Sequence, residues 1–88
     1  MRKIVTRRNL KEEVYQRLKQ GIINRELPPG ARLIEEDLSE KLGVSRTPLR
    51  EAISRLHQEG IIKLIPNRGA YVAWPTFSEI MENLYIRE

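Results

Sequence analysis

Apolar residues at Leu10, Val14, Leu18 and Ile22 recur every four positions among charged and amide side chains. That spacing lays a stripe along one face of a helix, where a strand would alternate. Asn9 with Glu12 three residues on has the form of a capping box, so a first helix is expected over residues 9–25. Leu27-Pro28-Pro29-Gly30 breaks it, because adjacent prolines lack amide donors and glycine admits turn dihedrals. Residues 31–34 read as a short extended piece. A second helix over 35–42 has acids in its first turn, Leu38 and Leu42 on its apolar face, and Gly43 as its stop. A third, over 46–59, carries the stripe Leu49, Ala52, Ile53 and Leu56 and is closed by Gly60. Beyond it the period changes. Residues 61–66 and 70–74 read as two strands joined by a tight turn, in which Asn67 and Gly69 can take positive φ. Pro75 ends the hairpin, and Phe77, Ile80, Met81 and Leu84 resume helical spacing.

The order helix, glycine turn, helix, hairpin is that of a winged helix-turn-helix: a mainly α fold with a three-helix core and a two-stranded wing. In the stretch GVSRTPLREA, residues 43–52, Ser45 stands at the N-cap of the third helix. Pro48 falls in the first turn, where its missing N–H breaks no intrahelical bond. At 100° per residue Arg46 and Arg50 point about 40° apart, with the centre of the apolar stripe roughly 90° away. They therefore face solvent or a partner, with Thr47 beside them.

Charge gives those arginines a context. The formal net charge of the 88 residues is +4, with four basic groups and no acid in residues 1–8 and five against two in residues 45–69. Clustering of this kind suits a polyanion. So small a chain favours a binding surface over an enclosed active site. With no cysteine and one histidine, disulfides and thiolate zinc sites are excluded and a metal cluster is unsupported, so neither metal nor cofactor is expected. No apolar run approaches a membrane span and no signal peptide is visible, so a soluble, cytoplasmic protein is expected.

The first turn of a recognition helix can enter the major groove, where arginine bridges guanine O6 and N7 with two donors. Arg46 and Arg50 are the candidate base readers, with Ser45 and Thr47 as shorter contacts. The alternative is a solvated face paired with Glu51 or other nearby acids. Arg68, between Asn67 and Gly69, is the candidate wing contact, against an ordinary type I′ turn with an exposed arginine. Lys63 and the arm residues Arg2, Lys3, Arg7 and Arg8 are candidate phosphate contacts. His57 has no visible partner and reads as an exposed helix residue; Tyr71 and Trp74 are expected to pack the hairpin on the helices.

Residues 10–74 resemble the N-terminal winged-helix domain of GntR-family transcriptional regulators. PPG, GVSRTPLREA, L..EG and P..RGAYV are all in place. By motif position the resemblance puts DNA contacts on Ser45, Arg46, Thr47 and Arg50, and the wing tip on Asn67, Arg68 and Gly69. Some members have a DNA-touching arginine near the start of the second helix, where this chain has Glu36. A glutamate repels phosphate, so that contact is not carried over. The spacing after the wing looks most like the FadR-like, or FCD, branch. It implies a basic arm at 1–8, a DNA-binding domain at 9–74, and at 75–88 a linker and the start of an absent effector domain's first helix. In that reading the effector is bound outside this sequence, the full-length protein is a homodimer, and these residues alone form a monomer or weak dimer. A stand-alone protein is the alternative.

Three rivals make different demands. A protein-interaction winged helix calls for an apolar or acidic recognition face. An RNA-binding module needs exposed wing aromatics, since the A-form major groove excludes a helix. A small hydrolase requires a nucleophile, base and orienting group in reach, and is unsupported here, so the chain is not expected to be an enzyme.

Overall fold

The computed structural model describes residues 1, 3 and 9–74. Six elements follow in chain order: α1 (Leu10–Ile23), β1 (Arg32–Leu33), α2 (Glu35–Leu42), α3 (Arg46–Gln58), β2 (Ile62–Ile65) and β3 (Gly69–Val72). The expected winged helix-turn-helix is present, with three helices and a hairpin wing. The extended piece joins the wing as a third strand, giving the antiparallel order β1-β3-β2. Arg32 pairs with Tyr71 and Leu33 with Ala70 on one side of β3, and Ile62 pairs with Val72 on the other. The basic arm positions Arg2, Arg7 and Arg8 and the segment 75–88 lie outside the described residues.

One core serves all six elements. Val14 and Leu18 of α1, Leu38 and Leu42 of α2, and Leu49, Ile53 and Leu56 of α3 close on Leu33, Ile62 and Val72 of the sheet. α2 and α3 therefore bury the stripes their spacing predicts, and α1 buries Val14 and Leu18 of its stripe with Leu10 and Ile22 half-buried against the core. Among the described residues, no buried polar or charged residue interrupts this core. No helix among the described residues is long and apolar enough to cross a membrane.

The ends differ from expectation in instructive ways. Asn9 does not cap α1 through its side chain: its backbone is left-handed (φ 52°, ψ 49°), and only its carbonyl takes part, accepting from the Glu13 N–H at 3.0 Å. Glu12 does not complete the box: its carboxylate accepts from Arg55 at 2.8 Å and Gln16 at 2.9 Å. The helix also stops at Ile23 rather than 25, where Asn24 donates its N–H to the Gln20 carbonyl and Arg25 turns left-handed. Ser45 holds the N-cap position of α3 in extended backbone, yet makes no side-chain capping bond. Pro48 is buried as the third residue of that helix. At its far end Gly60, with φ 80°, donates to the His57 carbonyl and Ile61 to that of Leu56, both at 3.0 Å. These two bonds make a Schellman cap. They send the chain into the wing.

Candidate nucleic-acid interface

The turn between α2 and α3 fixes the site. Gly43 is left-handed (φ 68°); its N–H and that of Val44 both donate to the Ser39 carbonyl, and the Ser39 hydroxyl donates back to the Val44 carbonyl. These bonds hold α3 at a set angle to α2 and leave Ser45, Arg46 and Thr47 exposed on its first turn. Arg50 follows one turn on, 63% exposed. It is not free: its Nε–H donates to Glu35 Oε1 at 2.8 Å, so the acid that pairs with it lies at the start of α2. Glu51 instead approaches Lys11, at 3.9 Å.

An open groove runs between this face and the wing. Arg46 lines it from α3, Glu35 and Glu36 from α2, and Asn67 and Arg68 from the wing. The seven residues singled out from the sequence thus divide between a helix face, Ser45, Arg46, Thr47 and Arg50, and a wing tip, Asn67, Arg68 and Gly69, with Arg46 and the three tip residues lining one groove. The tip is a three-residue loop between the paired Ile65 and Gly69. Its Arg68 N–H donates to the Ile65 carbonyl at 3.0 Å, with Asn67 left-handed at φ 64°. Proline second and a positive φ third is the pattern of a type II turn, so the type I′ alternative does not hold. Pro66 accounts for the change, because its ring forbids the positive φ that type I′ requires at that place.

Arg32 was not anticipated. It lines the same groove from β1, and its guanidinium lies over the wing: a Cβ on Gly69 would stand 3.5 Å from Nε and 3.6 Å from Nη2. Nothing local marks this residue, since it reaches the wing only through the pairing of β1 with β3. Lys63 is exposed on β2, opposite Tyr71. Lys3 lies against the Gly43 turn, where a Cβ would meet its Cδ at 3.4 Å.

The other arginine of α3 is engaged elsewhere. Arg55 donates to Glu12 and stacks its guanidinium 3.6 Å from the centroid of the Tyr15 ring, and the Tyr15 hydroxyl reaches both carboxylate oxygens of Glu59 at 2.7 and 2.8 Å. Hydrogen bonds from Gln16 and then Arg55 hold the Glu12 carboxyl below its ordinary range, and Glu12 in turn raises Arg55. This network fastens α1 to α3. His57 is exposed as expected but does have a partner, its Nδ1 standing 3.0 Å from the Ile62 carbonyl. The expected packing of the wing aromatics on the helices is not what the structure has. Trp74 is 65% exposed and its ring covers Gly30, while Tyr71 is half-buried with its hydroxyl on the Arg68 carbonyl at 3.3 Å. The cause is strand pairing: Tyr71 lies opposite Arg32 and Lys63, which places it on the outer face of the sheet.

A profile of bacterial regulatory proteins, gntR family, matches residues 10–72. An uncharacterised HTH-type transcriptional regulator in an unstable DNA locus of Streptomyces ambofaciens is 36% identical over 81 residues, 92% of this chain and 34% of that protein. A putative GntR transcriptional regulator from Rhodococcus sp. RHA1 superposes with a TM-score of 0.75 at 39% identity, over 86% of this chain and 36% of that one. The AraR DNA-binding domain, solved in complex with operator ORX1, shares the fold with a TM-score of 0.65 at 24% identity, over 80% of this chain and 82% of its own. The chain spans about a third of the length of the first two. With its helix-turn-helix, its wing and these relatives, the chain belongs to the gntR family of bacterial regulatory proteins, as a winged helix-turn-helix DNA-binding domain.

Proposed function

We propose that this chain binds double-stranded operator DNA with the first turn of α3 in the major groove and the wing beside it. The observation that supports this reading is the placement of basic side chains: Arg46 from α3, Arg32 from β1 and Arg68 from the wing tip around one open groove, with Arg50 one turn along from Arg46. A duplex offers matching chemistry, base edges for the helix and two phosphate ridges for the flanking cations. Arg46 and Arg50 read bases, Ser45 and Thr47 make shorter contacts to base or phosphate, and Asn67, Arg68 and Gly69 approach the flanking backbone or minor groove. Neither metal nor cofactor is needed.

In a longer protein of the family's usual size, two such heads belong to a cytoplasmic homodimer on paired half-sites. A small-molecule effector is then bound by a further domain. An RNA-binding reading gains little support from Trp74, which covers the Gly30 turn and does not line the arginine groove.

Selection of bound duplexes from a random library, followed by titration of the selected and a random duplex, tests the reading. A consensus should emerge, and Arg50→Ala should lose about 1–3 kcal/mol on the selected duplex and far less on the random one. Equal losses on both would reduce Arg50 to a phosphate contact, and the absence of any consensus would overturn sequence-specific binding.

A further inference from the structure

Arg50 stands exposed on α3, one turn along from Arg46, already bonded to a carboxylate. Its Nε–H donates to Glu35 Oε1 at 2.8 Å, across the angle between α2 and α3 and fifteen residues back in sequence. The pair is exposed enough to meet a ligand, with Arg50 63% and Glu35 35% accessible. A guanidinium has five N–H donors, and a bond at Nε uses only the edge nearest its own stem. Both terminal amines remain, and they are the pair that can meet guanine O6 and N7 end-on.

Glu35 has an ordinary role as well. A carboxylate in the first turn of α2 suits the helix end, but Glu36 and Asp37 supply that too, and neither is bonded to Arg50. A negative charge facing DNA also repels phosphate, so its presence here weakens binding to any sequence. We propose that Glu35 is a positioning residue for Arg50. It holds the guanidinium by one edge so that the other is presented to a base, and it lowers affinity for duplexes that lack the matching guanine. The long arginine side chain then has less freedom to lose on docking, and less freedom to swing onto a neighbouring phosphate. The proposal rests on the reading of Arg50 as a base contact.

The test uses the 88-residue chain, a duplex selected from the random library, and a random duplex of equal length at fixed salt. Thermal melting of every variant confirms that it is folded. Glu35→Ala should bind the random duplex more tightly while the ratio of selected to random affinity falls about tenfold, the scale of one well-made base contact. Glu35→Gln keeps the acceptor oxygen and loses the charge. It should tighten random binding yet hold the ratio within about twofold of the parent, a split that a merely stabilising carboxylate would not produce. With Arg50 replaced by alanine, Glu35→Ala should leave the ratio where it stands. If Glu35→Ala strengthens both duplexes equally, Glu35 only repels phosphate and the proposal fails while the reading of Arg50 survives. If Arg50→Ala itself preserves the ratio, Arg50 reads no base and both fall together.

Discussion

Arg32 of β1 and Arg68 of the wing tip line the same groove, and Gly69 keeps the surface beside them low. The Gly69 backbone is left-handed at φ 116°, and the Arg32 guanidinium lies across it. A cation held over the backbone suits a phosphate, which accepts hydrogen bonds from any side and needs no bidentate match. Arg68→Ala and Arg32→Ala should therefore weaken selected and random duplexes alike, and each should flatten the plot of log K against log salt by about 0.9 if it removes one phosphate contact. Titration at four or more salt concentrations reads the slope. An unchanged slope for Arg32→Ala would restrict that residue to supporting the wing, and an unchanged slope with lost A·T preference would make Arg68 a minor-groove reader. Arg55 supplies the control, since Glu12 and the Tyr15 ring already occupy it. Its replacement should lower stability and leave the slope alone.

At the scale of elements, α3 is where folding and recognition share a helix: one face is core, the other carries Arg46 and Arg50, and the Schellman cap at Gly60 aims the wing. Two substitutions separate these roles. Leu56 is fully buried, and Leu56→Ala should cost about 2–5 kcal/mol in a denaturant titration. Gly60 has open space where a side chain would go but a φ of 80°, so Gly60→Ala should cost only the left-handed penalty, about 1–2 kcal/mol, with the fold retained. Equal losses for the two would mean that the cap, and not packing, governs the stability of α3. The stripe of α3 was legible because burial on a helix repeats with the helical period, and Gly60 was legible because few other residues tolerate its backbone. Asn9 and β1 were harder for a common reason. In place of a capping box, Glu12 bonds Arg55, forty-three residues downstream, and Asn9 takes a left-handed backbone. The extended piece becomes a strand because Tyr71 and Ala70 pair with it from the far end of the domain. Local propensity carries no record of such competition. The Glu35–Arg50 bond escaped for the same reason, since its length depends on the angle that the Ser39 bonds impose on the turn.

The described residues present a recognition helix beside an arginine-lined groove, which matches half of what a two-fold operator offers. Helix-turn-helix proteins of this kind meet successive half-sites about one helical turn apart with two heads, and the second head docks at a high effective concentration once the first is bound. That gain requires a link between heads. The contacts that hold α1 to α3, Arg55 with Glu12 and Tyr15 with Glu59, are internal to one chain. The apolar positions Phe77, Ile80, Met81 and Leu84, which the sequence places on one helical face, lie outside the described residues. We therefore expect these 88 residues to be a monomer or weak dimer that binds a single half-site loosely and gains little from a second. Sedimentation equilibrium across a concentration series gives the assembly, and titration of single and paired half-sites gives the coupling between heads. Two independent heads should fill a paired site without cooperativity, and changing the spacing between half-sites by half a helical turn should leave affinity unaltered. A dimer that persists below about micromolar concentration, whose binding collapses on that half-turn shift, would place a dimer interface within these residues.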